Sequence, residues 1–281
     1  MSASHDEHPG SLGVLMDIPS VARMYDYLLG GKDWYEVDRQ AVLALRLVTP
    51  DIDDVALRNR MWLQRAVYFA AAELGIRQFL DLGTGLPTQR NVHQVAQEIH
   101  PDARVVYVDN DPIVLAHGRA LLAENNRTIM VAGDMAQPDT VLLAPEVLDL
   151  IDFGEPVAAI YASVLHCLPD EAHPYEVVKH VRDALPSGSC LALSHLESED
   201  QAAAEALTTS MRTSTGYWGR VRTRGEIGGF FDGFNIVEPG LGDIAEWRLD
   251  LPAVELDPAP DYVRPDAASP VIEFGGAGIK P

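Results

Sequence analysis

Apolar residues follow two different periods along the chain. Up to about residue 75 they recur every three to four positions, and beyond it they come in short continuous runs separated by helical stretches. A short helix is predicted from Ser20 to Leu29, with Pro19 and Ser20 at its start and Gly30-Gly31 as a left-handed stop. A second is predicted from Asp33, where Glu36 three residues on suits a capping box; Val37, Ala41, Leu45 and Val48 form its apolar stripe. A third is predicted from Asp54 to Leu74. Leu63, Ala66, Val67, Ala70 and Leu74 share one face, and Arg58 and Arg65 lie opposite. Residues 1–17 are polar, carry Gly and Pro, and read as disordered; 18–75 read as a helical cap; 76–281 read as the main domain.

Strand-length runs predict strands at Gln78–Leu82, Arg104–Val108, Thr128–Ala132, Val157–Ala162, Cys190–Ser194, Asn235–Val237 and Gly275–Ile279. Helices fit between the first five, for example Gln89–Ile99, Pro112–Glu124 and Glu171–Leu185. Continuous apolar strands alternating with helices mean a parallel sheet covered on both faces. The last two strands have no helix of the usual length between them and are expected to pair antiparallel at one edge. The fold class is therefore α/β: a doubly wound, mostly parallel, seven-stranded sheet with an N-terminal helical extension. Asp250 to Pro270 carries five prolines and many acids and is expected to be an extended surface loop.

Composition narrows the function. With 21 basic and 42 acidic side chains the net charge is −21, which repels phosphate backbones. Nucleic acid is thus excluded as a first expectation, and a small-molecule partner favoured. Cys167 and Cys190 are too few for a disulfide framework, and no C-x-x-C metal spacing occurs. The start lacks a basic n-region, and no stretch approaches the ~18 apolar residues of a membrane span. A cytoplasmic protein without membrane contact is the expectation.

The candidate chemistry sits where strands end. The first strand closes in Asp81-Leu82-Gly83-Thr84-Gly85-Leu86-Pro87. Two glycines one apart let the backbone turn tightly against a ligand, which in such sheets lies beyond the carboxyl ends of the strands. Asp81 would oppose the pyrophosphate of a dinucleotide, and Thr88 stands where G-x-G-x-x-G needs its third glycine. An ammonium-bearing ligand suits that carboxylate. Asp109 closes the second strand 28 residues after Asp81 and can accept both hydroxyls of a ribose. Asp134 closes the third; it can accept from an adenine amino group, with Met135 as a soft apolar wall.

The runs DLGTG, VDND, GDM and ASVLH resemble a class I S-adenosylmethionine (SAM)-dependent methyltransferase. More closely, ARMYDYLLGGKDWYEVDR, FLDLGTGLPTQRNVH, VYVDNDP, SVLHCLPD and FFDGFNIVEPGL resemble a bacterial family of largely uncharacterised SAM methyltransferases. Pro87 departs from the wider pattern, where a third glycine is common. The resemblance implies that Asp81, Gly83, Thr84 and Gly85 hold the methionine part of SAM, that Asp109 and Asn110 meet the ribose and adenine side, and that Asp134 and Met135 flank the adenine. It further implies that Ser163 lines the pocket and that Arg23, Tyr25 and Gly31 belong to a segment folding over the cofactor.

SAM carries its own activation, so the protein must chiefly orient the acceptor and exclude water. His166 is the candidate general base, with His195 behind it, and Tyr217 and Trp218 are candidate acceptor walls. No N-P-P-Y motif follows the fourth strand, which opposes methylation of DNA base amines. The expected activity is methyl transfer to a small-molecule acceptor. The alternatives are a non-catalytic SAM-binding regulatory protein and, opposed by Asp81 and Thr88, an NAD-dependent oxidoreductase.

Overall fold

A computed structural model describes residues 17–87, 90–121 and 126–281. Most of the expected disordered start, Thr88, Gln89 and the end of the helix expected to reach Glu124 lie outside the described residues.

Three helices precede the sheet: α1 (Val21–Leu28), α2 (Glu36–Val48) and α3 (Ile52–Tyr68). α2 begins three residues later than the sequence pattern predicts. The Asp33 N–H is drawn back to Asp26 Oδ2 at 2.9 Å, and Asp38 supplies the cap by accepting the Tyr35 N–H at 2.8 Å. α3 continues through a π-helical turn, Phe69–Glu73. Arg65, on the face opposite the apolar stripe, is buried; it donates to the carbonyls of Trp247 and Ile244, both at 2.8 Å. The reason is tertiary. The C-terminal part of the chain returns across α3 and covers Gln64 and Arg65, while Tyr25 and Ser194 cover Asn59 and Asn91 covers Arg60.

The sheet region follows as β1 (Gln78–Leu82), α4 (Val92–Ile99), β2 (Arg104–Asp109), α5 (Pro112–Leu121), β3 (Thr128–Ala132), α6 (Asp139–Leu142), α7 (Pro145–Leu150), β4 (Ala158–Ala162), α8 (Pro174–Ala184), β5 (Cys190–Glu197), α9 (Gln201–Thr215), α10 (Arg224–Gly228), β6 (Asn235–Ile236), β7 (Gly242–Asp243) and β8 (Ile272–Ile279). Strand order is β3-β2-β1-β4-β5-β8-β6, with β7 also on β8. The first five are parallel, and β8 runs antiparallel to β5, β6 and β7. The expected antiparallel edge is present, but β8 lies inside it, and the short β7 makes eight strands among the described residues. β8 also starts three residues earlier than Gly275.

Alternation sorts the core. Phe79, Val105, Tyr107, Ala158 and Ile160 pack with Trp62, Ala66, Val67 and Val95 from α3 and α4. Leu80, Val106, Val108, Tyr161 and Leu193 pack with Val141, Val147, Val178 and Val181 on the other face, from α6, α7 and α8. A third cluster joins α1, α2 and the start of α3 to Leu196, Leu207, Met211, Trp218, Ala259 and Val271. The expected cap at 18–75 therefore shares its core with later parts of the chain. Residues 251–271 form the expected extended surface stretch, largely exposed but tied down at several points. Gln64 exchanges two hydrogen bonds with the Val254 backbone, Asp261 accepts from Tyr27 and Arg46, and Asp54 accepts from Tyr262 and Arg264. Among the described residues no helix is long and apolar enough to cross a membrane.

Candidate functional site

The parallel register brings the carboxyl ends of β1, β2, β3 and β4 to one edge, and a cavity of about 440 Å3 opens there. Asp81, Gly83, Thr84, Gly85, Asp109, Asn110, Asp134, Met135, Ser163 and Tyr25 all line it.

The loop after β1 is locked onto β2. Gly83 (φ 76°) and Gly85 (φ 66°) are left-handed, and a Cβ on Gly83 would lie 2.4 Å from Val164 Cγ2. The N–H groups of Gly83 and Thr84 donate to the Val108 carbonyl at 2.9 and 3.0 Å, and that of Gly85 to Asp109 Oδ2 at 2.9 Å. Asp81 is buried and accepts from Thr84 Oγ1 at 3.0 Å. Burial pushes its carboxyl up to about 6, opposed by Thr84 and Arg60 and aided by Asp109. Burial also raises Asp109, whose Oδ1 accepts the Asp111 N–H at 2.9 Å. Backbone donors from Gly85, Asp111 and Asn110 thus fix the orientation of the Asp109 carboxylate at the cleft. Asp134 holds its own loop, accepting from the Ala136 N–H (2.9 Å) and Gln137 Nε2 (3.3 Å).

The helical side closes the cleft. Ser20 Oγ donates to Asp111 Oδ2 at 2.7 Å, bridging the start of α1 to the β2 tip. Tyr25 OH donates to the Ala56 carbonyl and accepts from Asn59 Nδ2 at 2.8 Å; its burial raises the phenol to about 12. Ser163, at φ 55°, receives no ordinary turn geometry for a non-glycine residue, a conformation that clusters at functional sites. Its N–H donates to Ser194 Oγ at 2.9 Å, and its hydroxyl donates to Glu273 Oε1.

Other expected residues fall elsewhere. Arg23 is buried beneath the cleft wall in an ion pair with Asp38 (2.7 Å) and also donates to the Ile18 carbonyl. Gly31 gives room to Asp26, whose carboxylate oxygen would lie 2.1 Å from an added Cβ. His166 does not line this cavity. Its Nδ1 accepts the Leu196 N–H at 3.3 Å, and burial beside Arg222 lowers the ring to about 3. Burial thus favours the neutral imidazole, and an Nδ1 that accepts the Leu196 N–H places the ring hydrogen on Nε2. His195 is fully buried, donating from Nδ1 to the Leu196 carbonyl and accepting from Arg222. Tyr217 stands exposed at the mouth, and Trp218 is buried away from it.

Ser20, Asn59, Arg60 and Asp111 also line the cleft, and Glu273 lies behind it; none was singled out as a ligand-contacting residue by the sequence. Polar Asn59-Arg60 in an otherwise core-forming helix was a readable signal. Glu273 gave none, because it falls ahead of the expected strand.

Residues 10–281 match the family model described as S-adenosyl methyltransferase. A structure of a protein from Thermobifida fusca YX, assigned as a methyltransferase, is similar at 41% identity and a TM-score of 0.83, covering 96% of this chain and 97% of that one. A DUF574 family protein from Streptomyces avermitilis MA-4680 is similar at 35% identity and a TM-score of 0.82, covering 95% and 99%. No curated protein matches the chain. The family uses SAM, which disposes of the nicotinamide alternative. With acids on three successive strand tips around one cleft and a family match over nearly its whole length, the chain belongs to the S-adenosyl methyltransferase family and is a SAM-dependent methyltransferase.

Proposed function

We propose that this cleft holds SAM with its ammonium at Asp81, its ribose hydroxyls at Asp109 and its adenine beside Asp134, Met135 and Asn110, and that the methyl acceptor is a small molecule. The observation that carries the reading is the convergence of Asp81, Asp109 and Asp134 on one cavity of about 440 Å3, a size ordinary for small-ligand sites. The donor set fits the group: carboxylates accept from the ammonium and hydroxyls, and an acid-lined cleft suits a cation. When bound, SAM supplies a methyl group already activated by its sulfonium. The protein's own residues then orient and desolvate. Thr84 and Arg60 steady Asp81, the Gly85 N–H aims Asp109, and Tyr25, Val21 and Ala22 wall the cleft from the helical side.

The net charge of −21 and the acids of the cleft favour a neutral or cationic small acceptor over nucleic acid. Cys167 and Cys190 are free thiols, which suits a cytoplasmic setting without a membrane partner. Calorimetric titration with SAM, S-adenosylhomocysteine and NAD tests the site. Saturable binding of the first two, weakened in Asp109→Ala, is expected; NAD binding without a SAM response overturns the reading.

A further inference from the structure

Behind the cleft lies a second, smaller cavity of about 60 Å3 between α1, α2, α3, α9 and the β5–β8 pair. Its walls are largely apolar, among them Met24, Leu45, Leu207 and Met211, and the expected base His166 and expected acceptor wall Trp218 also line it. The two spaces share Val21, Tyr25 and Ser163, so one side of Ser163 faces the cofactor cleft and the other this cavity. Against that apolar background stands one carboxyl group, Glu273, 3% exposed. Its Oε1 accepts from Ser163, but Oε2 is buried with no hydrogen-bond partner among the described residues. A buried carboxyl oxygen without a partner is costly, so its retention needs a reason. The topology supplies the placement. Because β8 is antiparallel, its beginning lies at the ligand edge, and Glu273 pairs with Leu196 near the end of β5.

We propose that this cavity is the acceptor subsite, that it receives the hydroxyl-bearing end of a small neutral alcohol with an apolar body, and that Glu273 binds that hydroxyl and takes its proton. The proposal rests on the SAM reading of the adjoining cleft. The step balances. The acceptor oxygen forms a bond to the methyl carbon, the electron pair of the broken S–CH3 bond stays on sulfur, and the O–H proton ends on Glu273 Oε2. A methyl ether, a neutral thioether and a protonated Glu273 result. His166 cannot share this role, because its one acceptor nitrogen is held by Leu196.

Burial raises Glu273 to about 8, opposed by the Ser163 and Ser194 hydroxyls and aided by Asp243. Asp243 on β7, Tyr25 on α1 and His166 and Cys167 beyond β4 are the titratable groups around it. Tyr25 and Cys167 are both raised to about 12 and His166 is lowered to about 3. Against Tyr25, Cys167 and His166, Glu273 has the transition nearest to pH 8.

The test loads the full chain with S-adenosylhomocysteine and titrates 1-propanol by NMR, in wild type, Glu273→Leu, Glu273→Gln and Leu207→Phe. Propanol is expected to bind wild type more tightly as pH rises through 8. Glu273→Leu should weaken it at least about tenfold, the scale of one hydrogen bond to a charged group. Leu207→Phe should exclude it by filling the cavity, and Glu273→Gln should bind it with no pH slope. Incubation with SAM should yield methyl propyl ether, at least about 100-fold slower in Glu273→Gln, the lower range for lost proton transfer. Propanol that ignores both Glu273→Leu and Leu207→Phe, or that fails to bind wild type, overturns the subsite. Binding without ether formation overturns the proton transfer. Failure of S-adenosylhomocysteine itself to bind would instead sink the cofactor reading.

Discussion

The two sides of the cleft are built on different principles. The sheet side places its acids by register: Asp81, Asp109 and Asp134 each stand at or just beyond the tip of a parallel strand, and their spacing along the chain already implies their meeting in space. The helical side places Ser20, Tyr25, Asn59 and Arg60 by contacts that reach across the chain, such as Ser20 to Asp111 and Ser194 to Asn59. The sheet side is a repeated local rule, and the helical side is a single long-range assembly. Damage to the sheet side should therefore change ligand affinity, and damage to the helical side should change whether the wall exists.

The largest effect is expected at Arg23. Its ion pair with Asp38 is almost wholly buried, and Asp38 also accepts from the Ser20 and Tyr35 N–H groups. Arg23→Ala leaves a buried carboxylate without its cation, which costs about 3–5 kcal/mol. Thermal unfolding should shift down by many degrees. Loss of SAM affinity with an unchanged melting temperature would mean that Arg23 acts on the ligand directly, and the contrast between the two sides would break.

Asp109→Ala comes next and should do the reverse. Removing an acceptor that hydrogen-bonds hydroxyls costs about 1.5–3 kcal/mol of binding, or about 10- to 150-fold in Kd. Melting of the ligand-free protein should move far less than in Arg23→Ala. Equal SAM affinity in the variant, measured by calorimetry, would remove Asp109 from the site.

The same contrast explains what could be read from the residues. The strand tips were legible because alternation, glycines and acids are short-range signals; five parallel strands and the loop Gly83–Gly85 follow from them. The burial of Arg65 was not legible because a helix pattern shows which face is polar but not that Ile244 and Trp247 return to cover it. The start of α2 moved because Asp26 competes for the Asp33 N–H across a turn. Gly31 and Arg23 lie near the cleft but serve packing, which spacing alone cannot separate from ligand contact. Glu273 stayed hidden because β8 begins at Ile272, three residues ahead of the strand expected from Gly275 and just past the proline-rich stretch that ends at Pro270.

The smallest effect sharpens the comparison most, because it isolates one carboxyl of the sheet side. Asp81 without ligand sits at about 6, raised first by burial, with Asp109 adding to the rise and Thr84 and Arg60 opposing it. An ammonium placed against it favours the ionised form, so bound Asp81 must titrate lower than free Asp81. Binding therefore releases a proton below pH 6, and affinity falls as pH drops through that value. At pH 5 the free site is mostly protonated, and SAM should bind about tenfold more weakly than at pH 7, following one unit of pKa. Asp109 is raised too, so the slope has a second contributor. Asp81→Asn separates them: the variant should bind weakly at every pH and lose most of the slope between pH 5 and 7. A full slope surviving in Asp81→Asn would assign the proton to Asp109 and move the ammonium away from β1.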